Sequence, residues 1–200
     1  MPSIELDKTT TALLIADFYV EMMGSLSHAV DRKVVDKTRA LQRAARDAGI
    51  LVCYSATVFR PGYLEISDRN KTFSQRKNSG QEAVSDPVQL IHPSVKPLPG
   101  EVVVGKHRVN ALYGTGLDVA LRANDIHDLV IFGYATSGVI LSTVRYGADL
   151  DRFEENIVSR VAHLLLHVIT QSVFGMTGRR RRASISSRAG WMRGTIVPTA

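Results

Sequence analysis

Short apolar runs alternate with longer amphipathic segments through most of the chain. The runs at residues 11–16, 50–58, 102–104 and 129–132 are too short for buried helices and predict strands, and a weaker run at 156–158 predicts another. Between these runs lie segments whose apolar residues recur at helical spacing. The alternation is typical of a parallel sheet with helices on both faces. It predicts an α/β fold, a three-layer αβα sandwich around a central parallel sheet of five to six strands.

The amphipathic segments predict the helices. Residues 29–48 place Val30, Val34, Leu41, Ala45 and Ala48 on one face, and Gly49 is a favourable residue just after a helix end. Further helices are predicted at 116–123, 139–150 and 163–174. Residues 59–100 hold five of the seven prolines and predict a long irregular segment, with short helices near 73–78 and 87–90. Loops of this length commonly carry function.

Charge divides the chain into a neutral body and a basic end. Six of the 25 basic residues are arginines within residues 175–200, which contain no acid; the other 19 equal the 19 acidic residues. We therefore predict one domain over residues 1–174 and a basic tail over 175–200. The tail, with Arg179 to Arg182, is where we expect any association with nucleic acid or an anionic surface.

Composition also bounds the setting of the protein. No apolar run approaches the roughly 20 residues that span a bilayer, so we expect no membrane association. The first ten residues lack the pattern of a secretory signal. The single cysteine, Cys53, excludes an internal disulfide and favours a reducing, cytoplasmic location.

Polar groups with chemical potential follow three of the predicted strands. Asp17 follows the first, Lys106 ends the third, and the turn from Thr136 to Val139 follows the fourth. Ligand sites in such sheets lie outside the carboxyl ends of the strands. An Asp beside a Lys can exchange a proton, and a helix start offers amide donors to an oxyanion. The structural alternatives are a turn aspartate, a surface lysine and a helix N-cap.

The same regions resemble a known family. Asp17 after TALLIA, Lys106 after EVVVG, and the segment GYATSGVILSTVRYGADLD are similar to three signature regions of the isochorismatase-like hydrolases, also called cysteine hydrolases. FRPGYLEISDRNK and GKHRVNALYGTGLDVALRANDI resemble one branch of that superfamily. The resemblance covers roughly residues 4–153. It implies an αβα fold, hydrolysis of a small-molecule substrate and assembly into homo-oligomers.

The resemblance also implies roles for individual residues. Asp17 matches the family's general acid/base, and Lys106 its charge partner. The nucleophilic cysteine aligns with Val139. A cis peptide is expected between Tyr134 and Ala135. The oxyanion region is then formed by Tyr134, Ala135, Thr136, Ser137 and Gly138. Arg60 and Tyr63, in the loop after the second strand, are candidate substrate contacts, because an arginine can bind a carboxylate through two hydrogen bonds; a solvated loop arginine is the structural alternative.

Val139 cannot attack a substrate, because its side chain has no lone pair and no ionisable proton. Two alternatives follow. Asp17 and Lys106 could hydrolyse a substrate with water as the nucleophile, as the isochorismatases of this family cleave a vinyl ether. Otherwise the protein is an inactive relative that binds a small ligand or serves as an oligomer subunit. Ser137 with His107 as base is a weaker possibility, because the G-x-S-x-G pattern is absent, and Cys53 is expected in the core.

We expect no metal and no cofactor. The Asp-x-His zinc motif that nicotinamidases of this superfamily carry has no counterpart in SATVFRPGY. His163 and His167 are four residues apart, but no H-E-x-x-H motif accompanies them. Gly114 and Gly116 lie in a turn rather than in a dinucleotide-binding G-x-G-x-x-G motif.

Overall fold

The computed structural model of this chain describes residues 6–150. Its core is one parallel sheet with the strand order β3-β2-β1-β4. The strands are β1 (Thr11–Ala16), β2 (Leu51–Thr57), β3 (Val102–Lys106) and β4 (Asp128–Gly133). The described helices are α1 (Val20–Ser25), α2 (Ser27–Asp31), α3 (Val34–Ala48), α4 (Ser74–Asn78), α5 (Pro87–Leu90), α6 (Leu117–Ala123) and α7 (Leu141–Asp149).

The predicted αβα sandwich is confirmed, with a smaller sheet than expected. Within residues 6–150 the sheet has four strands rather than five to six. The fifth strand predicted at 156–158, the helix at 163–174 and the basic tail at 175–200 lie outside the described residues. The expected homo-oligomer also stays a prediction.

Strand β1 lies in the middle of the sheet and is buried along its whole length. Its side chains alternate between two cores, as the period of two in a strand requires. Leu14 points to a core shared with α6 and α7, whereas Leu13 and Ile15 point to a core shared with α1, α2 and α3. Burial on both faces explains why this strand is a continuous apolar run.

The helix predicted at 29–48 is interrupted in the structure. It is replaced by α2 and α3, because Lys33 adopts a left-handed backbone conformation with φ 52° that no α-helix can continue through. Val30, which we placed on the buried face, is 60% exposed. The helix end at Gly49 is as predicted, with its N–H donated to the carbonyls of Ala45 and Arg46.

A polar network ties α3 to the segment before β3. Arg46 makes a bidentate ion pair with Glu101 at 2.8 Å, and the Tyr54 hydroxyl lies between them. Gln42, which is buried, donates to the Tyr54 hydroxyl and to the carbonyl of Val95. These bonds satisfy polar groups inside the α3 face of the sandwich.

The long segment between β2 and β3 is ordered by its own small core. Phe59, Tyr63 and Ile66 are buried together, with Phe73 against them. The short helices predicted at 73–78 and 87–90 correspond to α4 and α5. None of the helices between residues 6 and 150 has the length and apolar character needed to cross a membrane.

Candidate active site

The carboxyl ends of the four described strands bring the predicted residues to one edge of the sheet. Ala16 at the end of β1 pairs with Gly133 at the end of β4, so Asp17 and Tyr134 leave the sheet side by side. Thr57 at the end of β2 pairs with Lys106 at the end of β3. Because β2 lies between β1 and β3, Thr57 lies between Asp17 and Lys106.

Asp17 and Lys106 form a buried ion pair. Nζ of Lys106 lies 2.8 Å from Oδ2 of Asp17, and the lysine side chain is 1% exposed against 12% for the aspartate. Burial lowers the pKa of Lys106, while the charge and hydrogen bond of Asp17 oppose that shift. A lysine that loses its proton more readily than usual, in contact with a carboxylate, is suited to proton transfer within the pair.

Two hydroxyl groups complete the surroundings of the carboxylate. The Tyr19 hydroxyl donates to Oδ1 of Asp17 at 2.5 Å and accepts the backbone N–H of Thr57 at 2.6 Å. The Thr57 hydroxyl accepts from Nζ of Lys106 at 2.6 Å and lies 3.3 Å from Oδ1 of Asp17. Burial, followed by the negative charge of Asp17, raises the pKa of Tyr19, so this hydroxyl stays protonated.

The turn after β4 begins with a close backbone contact. A Cβ atom on Gly133 would lie 1.8 Å from the carbonyl oxygen of Ala16, so only glycine fits there. The expected cis peptide between Tyr134 and Ala135 is present. A helical turn, Thr136–Ile140, then leads into α7 and contains a non-helical residue at Gly138.

The side chains of this turn differ in exposure. Thr136 and Ser137 are exposed, whereas Val139 is 2% exposed and belongs to the core on the α7 side of the sheet. Val139 thus presents an apolar, packed surface at the turn. His107 places Nδ1 2.7 Å from the carbonyl oxygen of Val58. Its described partner is therefore a backbone group rather than Ser137.

The two predicted substrate-shell residues lie in the segment between β2 and β3. Arg60 forms an ion pair with Glu65, with its own side chain 68% exposed. Tyr63 is buried in the small core of that segment, and its hydroxyl donates to the carbonyl of Gln81. Arg108, two residues after Lys106, donates to the carbonyls of Glu65 and His107. The substrate-contact roles of Arg60 and Tyr63 stay predictions.

Metal-ligand side chains do not cluster in the described part of the chain. Among residues 6–150 no group of three or more His, Cys, Asp or Glu side chains could hold a metal ion. Cys53 is buried in β2, and burial raises the pKa of its thiol to about 12, which leaves it an unreactive core residue. His163 and His167 lie outside the described residues.

Sequence reasoning missed Tyr19 and Thr57. Thr57 carried a usable signal, because it lies near the end of the predicted strand at 50–58, just as Asp17 and Lys106 lie at the ends of theirs. Its place between them, however, depends on a strand order that cannot be predicted from the sequence. Tyr19 lies two residues beyond Asp17, in a segment that the sequence predicts to be a loop or a helical turn. Its role depends on the backbone of Asp17, where φ is 49°.

Comparison with known proteins agrees with this fold and identifies the family. A family model described as the isochorismatase domain matches residues 11–154. The ureidoacrylate amidohydrolase RutB of Cronobacter turicensis is 30% identical over 164 residues, which cover 72% of this chain and 70% of that protein. RutB of Methylorubrum extorquens is 28% identical over 171 residues, covering 75% and 68%.

Solved structures give the same result. An isochorismatase family protein from Burkholderia thailandensis superposes with a TM-score of 0.60 at 28% identity, over 76% of this chain and 78% of that one. These proteins share the fold of this chain, an αβα sandwich around a parallel sheet. The chain belongs to the isochorismatase family and is a hydrolase of that family.

Proposed function

We propose that this protein hydrolyses a small molecule with Asp17 as general acid/base, Lys106 as its charge partner and water as the nucleophile. The observation that carries the proposal is the 2.8 Å ion pair between Asp17 and Lys106 at the carboxyl edge of the sheet. The valine at position 139, where the family resemblance aligns a cysteine, leaves water as the attacking group.

The reaction on an amide or ureide would use Asp17 first as a base. As the water oxygen bonds to the carbonyl carbon, Asp17 takes one proton from the water. The C–N bond then breaks, and the same proton passes from Asp17 to the leaving nitrogen. The net change is the addition of one water molecule, and Asp17 ends in its starting state.

The reaction on an enol ether would use Asp17 first as an acid. Lys106 first passes a proton to Asp17, which makes the carboxyl group a proton donor. The carboxyl group then gives this proton to the alkene carbon of the substrate, and an oxocarbenium ion remains. Water adds to that ion and returns a proton to the pair. The hemiketal then separates into a carbonyl compound and an alcohol, again with a net gain of one water.

The turn after β4 is the proposed oxyanion region. Residues 136–140 precede α7, and amide groups at a helix start carry a partial positive charge. Donors of this kind stabilise negative charge on a carbonyl oxygen in the transition state. The aligned positions from Tyr134 to Gly138 would therefore surround the reacting carbonyl.

A panel of small molecules tests the proposal. Amides, ureido acids of the kind named for the RutB relatives, and enol ethers are incubated with the wild type, Asp17→Asn and Asp47→Asn, and products are read by mass spectrometry. Asp47 is an exposed aspartate on α3 and is the matched control. We expect turnover of at least one class by the wild type and Asp47→Asn, and a loss of about 10²- to 10⁴-fold in Asp17→Asn. Equal rates in Asp17→Asn and the wild type contradict the proposal.

The packed side chain of Val139 favours a second candidate, a ligand-binding protein without turnover. Such a protein would bind members of the panel in a calorimeter but release them unchanged. The variant Val139→Cys separates the two candidates further. Amidase activity gained by this variant indicates that the rest of the site is catalytically competent, whereas binding without turnover in both proteins supports the second candidate.

A further inference from the structure

The hydrogen bonds around Asp17 permit only one arrangement of protons at Tyr19. The backbone N–H of Thr57 can only donate, so the Tyr19 oxygen must accept it at 2.6 Å. The one proton of the Tyr19 hydroxyl is then directed to Oδ1 of Asp17, 2.5 Å away. When a phenol oxygen accepts from a donor on one side and faces a carboxylate on the other, its O–H bond can point only to the carboxylate.

The same reasoning fixes Thr57 and Lys106. An ammonium group has three protons and no acceptor. Nζ of Lys106 has three described acceptors: Oδ2 of Asp17 at 2.8 Å, Oγ1 of Thr57 at 2.6 Å and the carbonyl oxygen of Arg108 at 3.2 Å. Since the Thr57 hydroxyl accepts from Lys106, its own proton is free to go to Oδ1 of Asp17 at 3.3 Å.

The two oxygens of Asp17 are therefore not equivalent. Oδ1 accepts from both Tyr19 and Thr57, while Oδ2 accepts from Lys106 alone. A carboxylate oxygen has about two acceptor positions, so Oδ1 is saturated and Oδ2 keeps one. We propose that Oδ2 of Asp17 is the atom that exchanges a proton with water or substrate, and that Tyr19 and Thr57 are positioning residues that reserve it for this role.

This inference rests on the proposed function of Asp17 and refines it in two respects. It names the reactive oxygen, and it removes Lys106 from direct contact with a substrate oxyanion, because each of its protons already has an acceptor. Lys106 then acts through Asp17, and the oxyanion donors come from the turn after β4. A merely structural role for Tyr19 and Thr57, joining β1 to β2, makes no such distinction.

Carbon-13 NMR of the Asp17 carboxyl group tests the assignment without any substrate. The titratable side chains in described contact with Asp17 are Lys106 and Tyr19. The wild type, Tyr19→Phe and Thr57→Val are compared at one fixed pH, with Thr57→Ser as the conservative variant and Tyr113→Phe as the control. Tyr113 is 55% exposed and packs edge-on against Tyr146.

Hydrogen bonds to a carboxylate change the chemical shift of its carbon, so the loss of a donor to Oδ1 should move the Asp17 carboxyl signal. We expect its carbon-13 chemical shift to change in Tyr19→Phe and in Thr57→Val. Thr57→Ser restores the wild-type chemical shift, because it keeps the hydroxyl, and Tyr113→Phe does not change it. An unchanged chemical shift in folded Tyr19→Phe and Thr57→Val overturns the assignment.

The outcome is separable from that of the proposed function. If Tyr19→Phe fails to fold, the comparison of Thr57→Val with Thr57→Ser is sufficient as the test, and equal Asp17 chemical shifts in those two variants overturn the assignment for Thr57. Failure of the NMR test leaves the role of Asp17 intact. Failure of Asp17→Asn to reduce turnover removes the proposed function even if the chemical shifts change.

Discussion

Nζ of Lys106 and Oδ2 of Asp17 lie 2.8 Å apart, and the lysine side chain is only 1% exposed. An ion pair in such surroundings loses the hydration of both charges, and hydrogen bonds from neighbouring groups offset this cost only in part. The structure provides these bonds through Thr57, Tyr19 and the carbonyl of Arg108. A buried ion pair of this kind often adds little net stability to the fold. Its presence therefore indicates a chemical role more strongly than a stabilising one.

The first prediction concerns the coupling between the two charges. Lys106→Met leaves the buried Asp17 carboxylate without its partner, and we expect it to lower the free energy of unfolding by about 3–5 kcal/mol. The double variant Lys106→Met with Asp17→Asn should lose less than the two single variants combined. Urea unfolding followed by circular dichroism measures all three.

The pair of Arg122 and Asp118 on α6, whose side chains are 52% and 22% exposed, is the control for this cycle. Ion pairs four residues apart on a helix surface couple by roughly 0.3–0.5 kcal/mol. If the coupling energy between Lys106 and Asp17 is no larger than that of the α6 pair, the result contradicts the burial of the two charges.

The second prediction is the direction in which Lys106 makes stability depend on pH. Burial lowers its folded-state pKa below 10.5, despite the opposing attraction of Asp17. Between the folded pKa and 10.5 the unfolded chain binds more protons, so the contribution of Lys106 to stability rises with pH in that window. Nitrogen-15 NMR of the Lys106 ammonium should give a midpoint below 10.5, and Asp17→Asn should lower it further.

The same sign should appear in unfolding experiments. The difference in unfolding free energy between the wild type and Lys106→Met should shift in favour of the wild type as pH rises through the window. A difference that moves the other way, or a Lys106 midpoint above 10.5, means that the attraction of Asp17 outweighs burial.

The third prediction concerns the contact between the ends of β1 and β4. Gly133→Ala places a methyl group against the backbone oxygen of Ala16, which cannot move without displacing Asp17. We expect a loss of more than about 4 kcal/mol, or failure to fold. Gly24→Ala in α1 is the control, because a Cβ atom there meets nothing within 4 Å. It should be stabilising by about 0.5–1 kcal/mol. A folded Gly133→Ala variant of near wild-type stability would contradict the described approach.

Much of the fold was predictable because its signals are local. An apolar run buried on both faces marks β1, and the end of α3 is marked by Gly49 in a left-handed conformation. Asp17 and Lys106 were predictable because each directly follows or ends such a run. The break between α2 and α3 was not, since Lys33 carries no residue-type signal for its left-handed conformation.

The parts of the site that escaped prediction depend on long-range geometry. Thr57 lies between Asp17 and Lys106 only because β2 lies between β1 and β3 in the sheet. Tyr19 reaches both Asp17 and the backbone of Thr57 because the chain turns sharply after β1. Neither relationship can be predicted from the spacing of residues along the chain.

The central claim is that Asp17 activates water and that no side chain forms a covalent bond with the substrate. Its most direct test is a single turnover of a panel substrate in H₂¹⁸O, with enzyme in excess and the intact mass of the protein followed in time. The account predicts one ¹⁸O atom in the hydrolysed product of the first turnover, an unchanged protein mass throughout, and product formation that is about 10²- to 10⁴-fold slower in Asp17→Asn. A covalent adduct on the protein, or ¹⁶O from the enzyme in that first product, would contradict it.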